Sequence, residues 1–346
     1  MIKSVIKKCI LKKNLSIRDA INNLVKTSQR IIFVVNNSNN FLGTIADGDI
    51  RRGLVNGLTL NDSIGLIMNK KPIITKRKIN NIEADKLMQK KDISHIPHIK
   101  KKKIIFVYSA KDKKRDIALK KNVFLIMAGG FGKRLLPLTK KIPKPMIKIN
   151  ERPIIENIIL NAKKHGFTNI YISVHYLKKK IIDYFKDGKN LGINIKYIIE
   201  KKPLGTAGCL RLIKSTNLPI VVCNGDIFSE INFEDLLKFH LKNKADVSLV
   251  IKYFEDVSPF GIVETKNNFI TNFVEKPKKS LLVNSGVYVV NNSIKKYVKG
   301  KIDMSEFLKS IIKKKKKIAG YVLYEKWVDI GTKNVLKDLK IKFKNN

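Results

Sequence analysis

The run Leu125-Ile126-Met127-Ala128-Gly129-Gly130-Phe131-Gly132-Lys133-Arg134, followed by Pro143-Lys144-Pro145-Met146, sets three glycines and three cations directly behind an apolar stretch. Glycines let a backbone approach phosphate oxygens closely, and Lys133, Arg134 and Lys144 add fixed positive charge at the same mouth. The chemistry available to such a set is the cradling of a polyphosphate. Two familiar phosphate loops are excluded by position. The pattern G-x-x-x-x-G-K-[ST] needs Gly at 127 and Ser or Thr at 134, where Met and Arg stand, and the dinucleotide pattern G-x-G-x-x-G fails at Leu135.

Strands and helices must alternate to present that loop. From Asn122 onward the pattern reads strand 123–127, helix 154–165, strand 169–174, helix 178–185, strand 193–198, helix 207–213 and strand 219–223. This is an α/β class chain with a doubly wound, mostly parallel sheet, and in such sheets chemistry gathers at the carboxyl ends of the strands. The polar, lysine-rich stretch 109–121 lacks strand patterning and reads as a connection, with the linker proper at 116–121 and the second domain at 122–346.

Residues 1–115 read as a duplicated α+β unit. The first copy has a helix opening at Ser16 as N-cap, with Ile17, Ala20, Ile21 and Leu24 on one face, then strand 31–35, an Asn-rich turn and strand 41–45. The second repeats the order with helix 81–88, strand 93–99 and return strand 104–107.

Charge alone points elsewhere. The 346 residues carry 71 basic and 28 acidic side chains, a net charge of +43, which would suit a polyanion partner. Only nine of the basic residues are Arg, the lysines are spread along the chain, and aromatics are 8%, so neither base readout nor stacking is prepared and no nucleic-acid partner is expected. The run Lys313 to Lys317 reads as a solvated segment. No apolar run is long enough for a membrane span, and the N-terminus lacks a signal-peptide core, so a cytoplasmic protein is expected. Cys9, Cys209 and Cys223 have no C-x-x-C spacing, and His95 and His98 have no cysteine or carboxylate partners in sequence, so no zinc site is indicated.

The glycine segment closely resembles the signature of the sugar-1-phosphate nucleotidyltransferases, and further motifs follow in that family's order across residues 122–332. The resemblance implies that Ala128, Gly129, Gly130 and Gly132 hold the nucleotide, with Arg134 on its triphosphate and Lys144 on phosphate near the reacting centre. Glu200-Lys201-Lys202-Pro203-Leu204-Gly205-Thr206-Ala207-Gly208 resembles the base-side segment, which sets Gly205 and Thr206 against the nucleobase. Cys223-Asn224-Gly225-Asp226 and Trp327-Val328-Asp329-Ile330-Gly331-Thr332 resemble the metal-binding segments, with Asp226 and Asp329 as ligands of Mg²⁺. Phe260-Gly261-Ile262-Val263-Glu264, Val274-Glu275-Lys276-Pro277 and Asn284-Ser285-Gly286 resemble the sugar-binding segments. They imply Gly261, Glu275 and Asn284 on the sugar and Lys276 on its phosphate.

The implied reaction brings two anions together, an NTP and a sugar 1-phosphate, so its barrier is electrostatic and positional. Mg²⁺ prefers few protein carboxylates plus substrate oxygens, which suits two Asp from distant segments. The 203–208 segment is most similar to the guanylyltransferase branch, implying GTP and a hexosamine- or mannose-type 1-phosphate, with the product serving surface glycan synthesis. Residues 1–115 resemble a tandem of CBS regulatory domains, which implies an adenine nucleotide between the copies, with Asp49 of Gly43-Thr44-Ile45-Ala46-Asp47-Gly48-Asp49 on its ribose. Ala46 stands where that family has Ser or Thr, and the second copy stops near Tyr108 without a Gly…Asp ending. A homo-oligomer is expected. No hexapeptide repeat follows Asp329, so no appended β-helix is expected.

Plainer roles stand beside these. Asp226 after Asn-Gly suits a turn, Asp329 a helix cap, Asp49 the N-cap of a helix from Ile50, and the glycines tight packing. Trp327 suits a core. The competing functions are a catalytically silent, nucleotide-sensing regulatory subunit, a uridylyl- or thymidylyltransferase of the same family, and a polyanion binder driven by charge.

Overall fold

Two units partition the chain in the computed structural model, residues 1–116 and 117–346, and residues 7–27, 29–110, 118–149 and 151–344 are described. In the first unit β1 (Ile10–Lys12) runs parallel to β2 (Ile31–Val35), which pairs antiparallel with β3 (Phe41–Ala46). Helix α1 (Ile17–Thr27) connects β1 to β2 and buries Ile17, Ala20, Ile21 and Leu24, the face expected from their spacing. Its N-terminus is a capping box: Ser16 Oγ accepts from Asp19 N at 3.2 Å, and Asp19 Oδ2 accepts from Ser16 N at 3.0 Å. Helix α2 spans Asp47–Val55 and α3 spans Asn81–Lys91. The second hairpin pairs β4 (His95–Lys100) with β5 (Lys103–Ser109). Strand β1 was not expected, because a three-residue strand offers no alternation to read.

In the second unit the strands are β6 (Phe124–Met127), the short pair β7 (Lys148–Ile149) and β8 (Arg152–Pro153), β9 (Asn169–Val174) and β10 (Asn194–Ile199). They continue as β11 (Ile220–Asn224), β12 (Ile227–Ser229), β13 (Val247–Val257), β14 (Ile262–Lys266), β15 (Phe269–Val274), β16 (Lys278–Val290), β17 (Ile318–Leu323) and β18 (Trp327–Asp329). Seven of them form one sheet in the order β10-β9-β6-β11-β16-β13-β17. Strand β16 is antiparallel to both neighbours, and every other adjacent pair is parallel.

The sheet is covered on both sides, as a parallel sheet requires. Phe124 and Ile126 of β6 pack with α4 (Ile154–Lys164), α5 (Lys178–Phe185), α7 (Phe233–Lys242) and α9 (Lys333–Lys344) in one cluster. Val123 and Leu125 point the other way, into a cluster with Leu210, Met304 and Phe307, the last two from α8 (Met304–Lys313). The helix read over 207–213 is instead the short α6 (Gly205–Gly208) followed by a 3₁₀ turn over Cys209–Leu212. The linker read as 116–121 ends earlier: Lys120 N donates to Gly166 O at 2.8 Å and Lys120 bridges Phe167, so it belongs to the second unit. Residues 116 and 117 lie outside the described residues.

Candidate functional site

The loop after β6, the loop after β10 and the end of β11 converge on one cleft of about 370 Å³ at the carboxyl end of the parallel strands. Ala128, Gly129, Gly130, Gly132, Arg134, Lys144, Gly205, Thr206 and Asp226 all line it. The glycines fill different needs. Gly132 has φ +64°, and a Cβ there would stand 2.9 Å from Thr139 Cγ2 and 3.1 Å from Lys144 Cβ. At Gly130 a Cβ would meet nothing within 4 Å, so that residue leaves open space to the cleft.

Lys144 is buried, and its ammonium makes an ion pair with Asp226 while standing 4.0 Å from Asp329 Oδ1. Backbone pairing fixes this meeting: β12 follows Asp226 directly and pairs with β18, matching Ile227 with Asp329. Arg134 lies close by, since a Cβ on Gly331 would stand 3.4 Å from Arg134 Nη1 and 3.5 Å from Asp329 Oδ1. Burial raises the pKa of Asp329, the neighbouring Asp226 raises it further, and Lys144 and Arg134 pull it down. The Asp329 side chain keeps 48% of its exposure, so the effect belongs to a crowded cleft rather than to a dry core.

Two converging carboxylates, with the charge on Asp329 disfavoured by its neighbour, offer hard oxygen donors that fit a divalent cation also taking substrate oxygens. Beside them Asn224 Oδ1 is buried without a hydrogen-bond partner. Among the described residues no cluster of three or more His, Cys, Asp or Glu offers a closed metal cage. Nucleophilic chemistry has no support here. Burial pushes the Cys209 thiol up to about 12 and raises Cys223 well above its ordinary range, with Asp226 adding to the latter.

Three residues of the cleft received no role from sequence. Glu200, at the end of β10, is buried; its Oε1 accepts from Ser173 Oγ at 2.6 Å and its Oε2 from Leu204 N at 2.9 Å. Its readable signal is an acidic residue closing an apolar strand. Asp303 caps α8, and its Oδ1 accepts from Thr206 N at 3.0 Å. The Thr206 hydroxyl in turn accepts from Met304 N at 2.7 Å, so Thr206 fastens the loop after β10 to a helix terminus. Asp303 is legible as the start of the capping box Asp303-Met304-Ser305-Glu306. Asn224 precedes the Gly225-Asp226 turn.

The four residues assigned to the sugar are not among the cleft's lining. Gly261 packs against Phe273 and Glu275, and Lys276 follows β15 with φ +44°. Asn284 donates to Tyr288 Oη at 2.7 Å and accepts from Gly286 N at 2.9 Å. Gly286 abuts Asn224, so the β16 part of this group reaches the cleft's border. In the first unit Asp49 is the third residue of α2 and not an N-cap; its carboxylate accepts from Ala46 N at 2.8 Å and pairs with Arg52. Trp327 is only half-buried, and its Nε1 donates to Ser285 O at 2.9 Å.

A strand-end glycine loop, a lysine held between two aspartates and a mostly parallel sheet define a phosphate-handling α/β protein. Residues 123–345 match the family described as nucleotidyl transferase, and the chain belongs to that family. It is 33% identical over 225 residues to the mannose-1-phosphate guanyltransferase of Pichia angusta, covering 60% of each chain. It is 37% identical over 212 residues to the D-glycero-alpha-D-manno-heptose 1-phosphate guanylyltransferase of Campylobacter jejuni, covering 60% of this chain and 93% of that one. The chain thus spans about 60% of the length of the first of these relatives. Among solved structures, HddC from Yersinia pseudotuberculosis superposes with a TM-score of 0.52 at 26% identity, over 64% of this chain and 99% of that one. The same HddC has been solved with GMP-PN.

Proposed function

We propose that the chain transfers a guanylyl group from GTP to a sugar 1-phosphate of mannose, heptose or hexosamine type, releasing pyrophosphate. The observation that carries this reading is the convergence of the glycine loop, Arg134, Lys144, Asp226 and Asp329 in one cleft. A sugar-phosphate oxygen attacks the α-phosphorus; the new O–P bond forms as the α–β bridge breaks, and the electron pair leaves with pyrophosphate. The loop of Ala128, Gly129, Gly130 and Gly132 would hold the triphosphate by backbone N–H groups. Arg134 and Lys144 would neutralise the reacting phosphates, with Lys276 on the sugar phosphate. Asp226 and Asp329 would hold Mg²⁺, which when bound supplies charge to the α-phosphate and the leaving group.

Glu200 favours guanine. The Glu200 carboxyl oxygens act as acceptors, with about four lone-pair sites, of which the contacts to Ser173 and Leu204 occupy two. The guanine edge offers adjacent N–H donors to such a group, whereas uracil and thymine flank their single N–H with oxygens that a carboxylate repels. The guanylyltransferase names of the relatives support the same base.

For the sugar side we infer that Gly261, Glu275, Asn284 and Lys276 act when the β14–β15 segment approaches the cleft. The first unit is read as a CBS pair that takes an adenine nucleotide, with Asp49 bearing on the ribose once its contact with Arg52 is exchanged. A cytoplasmic location and a product used as glycosyl donor for surface glycans complete the reading. Among the described residues no helix is long and apolar enough to cross a membrane.

The test is Mg²⁺-dependent pyrophosphate release from four NTPs against mannose-, heptose-, glucosamine-, N-acetylglucosamine- and glucose-1-phosphate, with Asp226→Ala as control. Release confined to GTP and one sugar is the expected result. Release with UTP or dTTP in preference to GTP would overturn the guanine reading, and silence across the matrix would overturn the activity.

A further inference from the structure

The far halves of β13 and β16 and the whole β14–β15 hairpin stand away from both hydrophobic clusters of the sheet. Phe254, Phe260, Phe269 and Phe273 keep 52%, 74%, 75% and 61% of their exposure, and Ile270 keeps 68%. Val263, Val257, Leu281 and Leu282 are exposed as well. Within the hairpin β14 pairs only with β15, and Val263 opposite Phe273 and Ile262 opposite Val274 set apolar side chains on both faces. A lone two-stranded ribbon is marginally stable in water, and contiguous apolar surface of several hundred Å² marks a contact site.

Charge decides between partners. Residues 251–282 hold four acidic and five basic side chains, whereas the whole chain carries +43. A foreign acidic partner would find its attraction on the lysine-rich remainder of the chain, not here. A near-neutral apolar surface is the place where two copies of a strongly basic chain approach with least repulsion. Its interspersed charges also suit self-complementarity: Glu255, Asp256 and Glu264 lie on the same ribbon as Lys266. A two-fold contact needs such a surface, because the same patch must serve on both subunits. The size fits too. With a phenylalanine presenting on the order of 200 Å², the four exposed rings alone offer about 500 Å² toward the roughly 800 Å² per partner of a standard interface.

We infer that the β14–β15 hairpin and the adjoining ends of β13 and β16 form the dimer interface of this protein, covered by the same surface of a second copy. The contact is apolar within a field of like charge, so salt screens the repulsion and strengthens it, whereas association driven by charge weakens in salt.

The experiment is sedimentation velocity of the full chain at 50 and 500 mM NaCl, with Phe269→Asp/Ile270→Asp as the variant. Both side chains are exposed, and circular dichroism checks that the variant stays folded. A dimer that tightens at high salt, and whose Kd rises at least about 30-fold in the variant, supports the interface. A monomer at both salts, or a dimer indifferent to the double substitution, overturns it. If this surface is covered within its own chain instead, the protein runs as a monomer. A Phe269→Cys variant treated with a bifunctional maleimide separates the cases, since Cys9, Cys209 and Cys223 are all buried. A covalent dimer is expected, and its absence counts against the second copy.

Discussion

The glycine-loop cleft and the β14–β15 ribbon each bring together glycine, carboxylate and lysine, yet the fold constrains them very differently. Lys144 is buried between two aspartates whose backbones are tied by the β12–β18 pairing. Lys276 follows a ribbon whose every strand residue is exposed. The first group stands at the ends of central strands and is set in place by the sheet. The second, among the described residues, is joined to the sheet through the extended β13 and β16. Preorganised charge lowers a barrier because it costs no reorganisation, so in the proposed reaction the loop side is built ready and the ribbon side would have to be brought to it.

The largest effect tests the ready half. Asp226→Ala would remove a proposed cation ligand and leave Lys144 without its ion-pair partner Asp226; with several kcal/mol at stake and 1.36 kcal/mol per tenfold, kcat should fall by at least about 10³. Retained turnover in steady-state pyrophosphate release would remove Asp226 from the mechanism.

Arg134→Ala and Lys276→Ala sharpen the contrast between the halves. Each should cost roughly 10²–10³ in kcat, the loss typical of one pre-organised charge-stabilising donor. For Arg134 this follows from its place beside Asp329 and Gly331. For Lys276 it requires the ribbon to reach the cleft during turnover. An Arg134 loss with an unchanged Lys276 variant would mean that the ribbon serves assembly alone.

A smaller effect concerns the base side. Gly205 has φ +75°, and a Cβ there would stand 2.5 Å from the carbonyl oxygen of Ile302. Gly205→Ala should therefore lose about 1–3 kcal/mol of stability, read as a lower urea midpoint. An unshifted midpoint would show that this loop gives way freely, and the base side would join the ribbon as a part that moves.

Much of this contrast was legible in the sequence, and the limits have physical causes. The strand 169–174 and the helix 178–185 match their observed bounds because both show clear periodicity over enough residues. The glycine loop stood out because glycines and cations after an apolar run have few other uses. Glu200 and Asp303 stayed without a role because their importance lies in contacts across the fold, to Ser173, Leu204 and Thr206, that spacing does not display. The position of Gly261, Glu275 and Lys276 outside the cleft was likewise unreadable, since motif order says nothing about how far a ribbon stands from its site.

The smallest effect probes the root of the ribbon. His240 is buried, with Nδ1 3.0 Å from Ser248 Oγ and Nε2 3.1 Å from Asn291 Oδ1, so it ties the rooted end of β13 to the residue that follows β16. Burial lowers its pKa below the ordinary 6.5, against smaller opposing effects of Asn291 and Asp246, and burial likewise lowers His165 of the same unit. A histidine depressed in the folded state is stabilising above its unfolded pKa, and that stability is lost as pH falls through the folded pKa. Calorimetry should therefore give a Tm that falls between pH 7.5 and 5, with His240→Gln reducing the slope and His165 supplying what remains. A full slope in the variant would mean that His240 does not titrate in this range. A reduced slope would locate an acid-sensitive point of the second unit at the root of β13 and β16, on the firm side of the boundary from which the ribbon extends.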